Sequence, residues 1–310
     1  MTGWIVFLAL VVALSALPRL AEYRRRPVDD ALRREAPGRF ADLNRGKTHY
    51  RWLGPVRGPV ALCVHGLTTP SPVWDGLAEE LAAMGFRVLV YDLYGRGYSD
   101  APRGAQTAAF HAAQLRELMD REGLTEEVTL IGYSMGGAIA AAFAAEEDHR
   151  LRRLILIAPA GMGHELGPLA KWVADWPFVG DWAFHMFWPR QALADIAATE
   201  GGPTSVPGIW DLQRDELKRR GFVRSVLSSL RGILRHPLEA EHRTLAASGL
   251  PVAAVWARDD AVIPLRAMGQ LTQWNRKVRQ EVIDGAGHGL VFTHTEELAG
   301  RIRAIIADAA

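Results

Sequence analysis

The chain has 310 residues, 23% charged and 49% hydrophobic, which is enough to bury one large core with room for an insertion. Its formal charge of +1 leaves no basic excess for gripping a phosphate backbone, so nucleic acid is excluded as an expected partner. The single cysteine, Cys63, excludes an intramolecular disulfide and, inside the apolar run 60–64, reads as a buried strand thiol.

The N-terminus departs from this soluble composition. The run from Trp4 to Leu17 has no charge, and Pro18, Arg19 and the cluster Arg24, Arg25 and Arg26 follow it. A bilayer crossing takes about 20 apolar residues, a length that Trp4 to Ala21 reaches by including Pro18 and Arg19 near the interface. A secretory signal places positive charge before its apolar stretch, whereas here the arginines come after it. The positive-inside rule therefore favours an uncleaved membrane anchor over residues 1–26, with the rest of the chain cytoplasmic. A cleaved signal and a packed N-terminal helix are the alternatives.

Residues 27–45 mix Arg, Asp, Glu, Pro and Gly and read as a tether or a short surface helix. From there strand-like and helix-like segments alternate: strands at 47–52 and 60–65, a helix at 73–84, a strand at 87–92, a helix at 108–122, a strand at 128–132, a helix at 134–146 and a strand at 153–158. Near-continuous apolar strands in this order predict an α/β fold, with a mostly parallel central sheet covered by helices on both faces. Residues 46–158 form the first part of that core. The rhythm breaks over 159–250, where Trp172, Trp176, Trp182, Trp188 and Trp210 stand among prolines and helical patterns, as in a helical cap. Strands return at 251–256 and 278–283 and a helix closes at 295–309, so 251–310 forms the second part of the core.

The most specific chemical signal is Gly132-Tyr133-Ser134-Met135-Gly136-Gly137, between a strand and an alanine-rich helix. A serine in so tight a strand-to-helix turn needs neighbours without side chains, and its hydroxyl then stands clear above the sheet as a nucleophile. That hydroxyl requires a base to take its proton, a task suited to histidine. Of the ten histidines, His288 has the fitting context, the glycine-rich loop 284–289 after a strand. Histidines 111, 149, 164, 185, 236, 242 and 294 lie in helical or surface settings and His49 on an early strand, where a solvated or satisfied side chain is the default. A carboxylate at a neighbouring strand end must orient the imidazole, and Asp259 and Asp260 are adjacent candidates. The amide of Met135, just after the nucleophile, is one expected donor to the negative oxygen of a tetrahedral intermediate. No cofactor or metal motif is present; Gly95-Arg96-Gly97 lacks the third glycine and the helix of a dinucleotide loop.

Over residues 46–310 the chain resembles the α/β-hydrolase family. Ala257-Arg258-Asp259-Asp260-Ala261-Val262-Ile263-Pro264 is similar to the family's Gly-x-x-Asp-x-x-x-Pro, with Ala257 in place of the glycine, and that register implies Asp260 as the third member. Asp259 is then a turn or surface residue. His65-Gly66-Leu67 resembles the family's His-Gly-x motif and implies the Leu67 amide as the second oxyanion donor, with His65 shaping the loop. Asp92 to Ser99 matches Asp-x-x-Gly-x-Gly-x-Ser, which implies structural roles for Asp92 and Ser99.

Within the family the chain looks most like monoacylglycerol-lipase-type and related carboxylesterases, some of which carry an N-terminal anchor. A tryptophan-rich insertion presents large apolar faces, which favours a lipophilic ester as small-molecule substrate. The runner-up is a meta-cleavage carbon–carbon bond hydrolase, disfavoured by Leu67-Thr68-Thr69-Pro70 where those enzymes tend to be glycine-rich. A non-catalytic binding protein on the same scaffold is a third reading, against which stands the complete set of three reactive groups. Oligomeric state leaves no signature in the sequence.

Overall fold

A computed structural model of the chain describes residues 2–163, 173 and 175–308. Eight strands form one sheet: β1 (Arg39–Leu43), β2 (Gly46–Leu53), β3 (Val60–Val64), β4 (Arg87–Tyr91), β5 (Val128–Tyr133), β6 (Leu151–Ile157), β7 (Val252–Ala257) and β8 (Arg279–Ile283). The helices among the described residues are α1 (Thr2–Tyr23), α2 (Asp30–Arg33), α3 (Asp75–Ala83), α4 (Ala108–Arg121), α5 (Met135–Glu147), α6 (Val179–Thr199), α7 (Ile209–Lys218), α8 (Phe222–Arg231), α9 (Glu239–Ser248), α10 (Arg266–Trp274), α11 (Leu290–Thr293) and α12 (Thr295–Asp308).

The spatial order is β1-β2-β4-β3-β5-β6-β7-β8, antiparallel at β1/β2 and β2/β4 and parallel elsewhere. Every residue of β5 and β7 is buried, as a strand covered on both faces requires. Successive side chains divide between the faces. Leu62, Val64, Leu130 and Leu156 join α4, α5, α9 and α10 on one side, while Ala61, Cys63, Ile131 and Ile155 join α3 and α12 on the other. A one-residue slip would exchange the two sets, each shaped for its own helices, so both cores fix the register. Cys63 is fully buried and burial pushes its thiol up, consistent with an inert core residue.

The stretch 27–45 is more ordered than a tether. Asp29 caps α2 by accepting from the Leu32 amide at 3.0 Å, and β1 extends the sheet. β1 is an edge strand in which only Ala41 is buried, so it has no apolar alternation to betray it. The expected helix at 73–84 begins instead as a 3-10 turn, Ser71–Trp74, before α3.

Between β6 and β7 the described residues form no strand, and α6 to α9 lie in this segment. Phe184, Phe222, Val223, Val226 and Leu227 give this insertion a core of its own. Trp188 stacks on Phe184 with ring centroids 4.9 Å apart, and Trp210 packs against the sheet-side core, so these two serve packing. Trp176 is 58% exposed. Trp172 lies outside the described residues.

Helix α1 continues past Pro18, and its 22 residues span about 33 Å. It is long and apolar enough to cross a membrane, and none of its residues is buried. It rests on the insertion through Trp182, whose Nε1 donates to the Leu14 carbonyl at 2.8 Å. Beyond α1, Arg26 exchanges backbone hydrogen bonds with Lys218 and Arg220, both 2.8 Å.

Candidate active site

Strands β3, β5, β7 and β8 run parallel, so the loops that leave their C-terminal ends share one rim of the sheet, where ligands bind in open α/β folds. Ser134 leaves β5 with φ 55° and ψ −121°, a strained setting for a residue with a Cβ. The turn is held from both sides. The Ser134 amide donates to Ile157 O at 2.9 Å, and the Ala160 amide donates to Ser134 O at 3.0 Å. A Cβ on Gly132 would lie 2.4 Å from Gly136 O, and one on Gly136 would lie 2.0 Å from Val64 O, so close backbone approach imposes both glycines.

His288 follows β8. Its Nε2 lies 2.9 Å from Ser134 Oγ, and its Nδ1 lies 2.7 Å from Asp260 Oδ2. A carboxylate oxygen only accepts, so Nδ1 carries the proton and Nε2 is left to accept from the serine hydroxyl. Asp260, after β7, is itself fixed because its Oδ1 accepts from the amides of Val262 and Ile263 at 2.7 and 2.8 Å. The neighbouring Asp259 is exposed, and its amide donates to Ala286 O at 2.9 Å, which ties the aspartate loop to the histidine loop. Thus the structure brings Ser134, His288 and Asp260 into one hydrogen-bonded chain, and leaves Asp259 out of it.

The loop after β3 lies against the serine. A Cβ on Gly66 would stand 3.2 Å from Ser134 Cβ, so the loop His65-Gly66-Leu67 borders Ser134 directly. The amides of Leu67 and Met135 have no hydrogen-bond acceptor among the described residues, which leaves both donors available. Such an arrangement can deprotonate a hydroxyl, return that proton to a leaving group, and stabilise negative oxygen.

The sequence matches the family of the alpha/beta hydrolase fold over residues 59–295. The chain belongs to the α/β-hydrolase family. Among its relatives, pimeloyl-[acyl-carrier protein] methyl ester esterase of Vibrio parahaemolyticus is 24% identical over 272 residues, 84% of this chain and 99% of that one. The 2-hydroxymuconate semialdehyde hydrolase of Pseudomonas putida is 25% identical over 262 residues, 80% of this chain and 87% of that one. Among solved structures, a bacterial membrane phospholipase A superposes with TM-score 0.72 at 20% identity, covering 100% of this chain and 99% of the other. This last likeness is one of fold.

In this α/β-hydrolase the histidine of the loop after β3 is not placed as a base. The Leu93 amide donates to His65 Nε2 at 2.9 Å, so Nδ1 is the protonated nitrogen and donates to Gly66 O at 2.8 Å. Burial lowers His65 to about 4, which keeps the ring neutral as a fixed brace between two loops. Asp92 braces the same region, since Oδ1 accepts from Ser71 N and Oδ2 from His49 Nδ1 and Tyr98 N. Burial raises its carboxyl, but the His49 partnership and the Tyr98 amide outweigh burial and hold it far below the usual range. Ser99 completes the brace by donating to Asp92 O at 2.7 Å.

One contact of this α/β-hydrolase had no signature in the sequence. The Tyr133 hydroxyl donates to His288 O at 2.7 Å, and burial together with the Asp260 charge pushes that phenol up, so it stays a donor. In the motif Tyr133 occupies a variable position; only the sharp turn of the elbow, which sends neighbouring side chains in opposite directions, hints that it reaches the histidine loop.

Proposed function

We propose that this α/β-hydrolase is a serine hydrolase that cleaves carboxylic esters of lipophilic or amphiphilic substrates, in the manner of a monoacylglycerol lipase. The observation that carries the reading is the relay from Ser134 Oγ to His288 Nε2 at 2.9 Å and from His288 Nδ1 to Asp260 at 2.7 Å. Ser134 Oγ attacks the acyl carbon as His288 Nε2 takes its proton. The Leu67 and Met135 amides then hydrogen-bond the tetrahedral oxyanion, each worth about 2.7–4 kcal/mol. Collapse expels the alcohol, which takes the proton from Nε2 and leaves an acyl group on Ser134. Water, deprotonated by the same nitrogen, releases the acid and restores the serine.

A lipophilic substrate is supported by the apolar helix α1, read as a membrane anchor with the catalytic part on its cytoplasmic side, and by the exposed Trp176 and Phe178 of the insertion, read as a cap over residues 159–250. The esterase relative supports ester chemistry, and the semialdehyde hydrolase relative keeps carbon–carbon cleavage as the second reading. Turnover of p-nitrophenyl esters of increasing chain length tests the two together. Rising kcat/KM from acetate to longer chains is the expected result. Preference for acetate overturns the lipophilic pocket, and ester turnover far below that of a meta-cleavage ketone favours the second reading.

A further inference from the structure

Helix α1 ends beside a cleft of about 830 Å³ that none of Ser134, His288 and Asp260 lines. Its wall contains four arginines, Arg19 of α1, Arg103 of the loop before α4, and Arg220 and Arg224 from the insertion, as well as Glu22, Asp100 and Asp181. The charges are unequally engaged. The three carboxylates are already paired with arginines outside the wall, Glu22 with Arg25, Asp100 with Arg33 and Asp181 with Arg231, and Glu22 also accepts from the Gly221 amide. None of the four arginines forms an ion pair among the described residues; Arg220 and Arg224 donate only to main-chain oxygens, those of Tyr23 and Ala101. The Nε of Arg220 is buried without a hydrogen-bond partner. The cleft is therefore cationic, and the Arg220 guanidinium in its wall, which also stacks on the Tyr23 ring at 5.1 Å, is not fully hydrogen-bonded.

Its surroundings specify what kind of anion fits. Ser15 and Pro18 of α1 line the cleft too, so it runs from the charged end of the helix toward the apolar end. Trp182, also in the wall, donates to Leu14 O, five residues and about 7.5 Å along α1 from Arg19. If α1 crosses a bilayer, Trp182 lies at or below the headgroup level, the depth where tryptophan is enriched, and the arginines lie just above it. Phe178, 85% exposed, belongs to the same wall. Cation above and apolar surface below match an amphiphile with an anionic head.

We infer that this cleft is a binding site for the phosphate-bearing headgroup of an anionic membrane phospholipid, with the acyl chains lying along α1 and the first turns of α6. The inference rests on the reading of α1 as a membrane anchor, but not on the esterase reading. Arginine suits the role because its planar fork donates two parallel hydrogen bonds to phosphate. Burial pushes Arg224 below its ordinary value, the pull of Glu22 opposes this and the adjacent Arg103 adds a smaller push, so a bound phosphate would give a partly buried guanidinium a counter-charge.

The test is native mass spectrometry of the full-length protein in a neutral maltoside detergent, offered equal amounts of phosphatidylglycerol and phosphatidylcholine with identical acyl chains. Wild type is expected to retain phosphatidylglycerol in large excess. Arg19→Gln/Arg103→Gln, at two exposed positions without hydrogen bonds, should cut that preference about twenty-five-fold, roughly fivefold per arginine, with p-nitrophenyl ester turnover unchanged. Equal retention of both lipids by wild type, or an undiminished preference in the double variant, overturns the site. Displacement of the lipid by an equal concentration of inorganic phosphate overturns the lipid reading in favour of a free-anion site. Carbonate extraction of membranes, run in parallel, reads the anchor separately: a protein that resists extraction yet shows no headgroup preference refutes the cleft alone, and one that is extracted refutes the anchor.

Discussion

The Tyr133 hydroxyl and the His288 main-chain oxygen are 2.7 Å apart, a bond that ties the residue before the serine to the loop that carries the imidazole. The Tyr133 ring also lies 5.3 Å from the imidazole ring, tilted by 33°. Loss of one such hydrogen bond costs about 1 kcal/mol, and a looser loop spends less time with Nε2 in reach of Oγ. Tyr133→Phe is therefore expected to lower kcat for a p-nitrophenyl ester about fivefold at nearly constant KM, while Tm changes little. Equal kcat in the variant would show that the loop needs no tie.

Two glycine-to-alanine changes should have opposite signs. In Gly136→Ala the new Cβ meets Val64 O at 2.0 Å, and main chain on both sides has no room to yield. A destabilisation of at least ~3 kcal/mol is expected in urea unfolding. Gly300 lies inside α12 with nothing within 4 Å of such a Cβ, so Gly300→Ala is expected to stabilise by up to about 1 kcal/mol.

Glu216 gives stability a defined pH dependence. It is fully buried, and burial pushes its carboxyl from 4.5 up to about 7 against the pull of Arg219 and the Gly97 amide. The folded chain thus keeps a proton that the unfolded chain has released, so this contribution is complete below pH 4.5 and is lost as pH rises through 7. The fall is on the order of 3 kcal/mol. Glu216→Gln, which can still accept from the Gly97 amide, should flatten the Tm profile over that window; an unchanged slope assigns it to other groups.

Deleting residues 1–20 spares the backbone bonds of Arg26 to the insertion. The shortened chain is expected to move from the membrane to the soluble fraction with ester turnover within about twofold of wild type. Persistence in the membrane fraction would shift the attachment to the exposed aromatics of α6 and its approach.

How far the sequence reveals this molecule depends on how local the governing force is. The sheet core was legible because β5 and β7 are buried on both faces and therefore apolar throughout. The elbow was legible because glycines flank the serine between a strand and a helix, although only the Gly132 contact with Gly136 O is local and the one that imposes Gly136 comes from Val64 O, far away in the chain. The edge strand β1 was not, since one buried alanine carries no period. The convergence of Ser134, Asp260 and His288 was anticipated through motif resemblance, not spacing, and the Tyr133 tie depends on how two distant loops meet. Of the five tryptophans grouped as one apolar feature, Trp188 and Trp210 pack internally and Trp182 joins α1, a division that composition alone does not contain.

The proposal that Ser134 is the nucleophile is tested most directly by peptide mapping after reaction of the full-length protein with a fluorophosphonate. A single adduct on Ser134 is predicted, absent in Ser134→Ala and formed at least roughly 10⁴-fold more slowly in His288→Ala. An adduct on any other residue, or labelling that survives in Ser134→Ala, would contradict it.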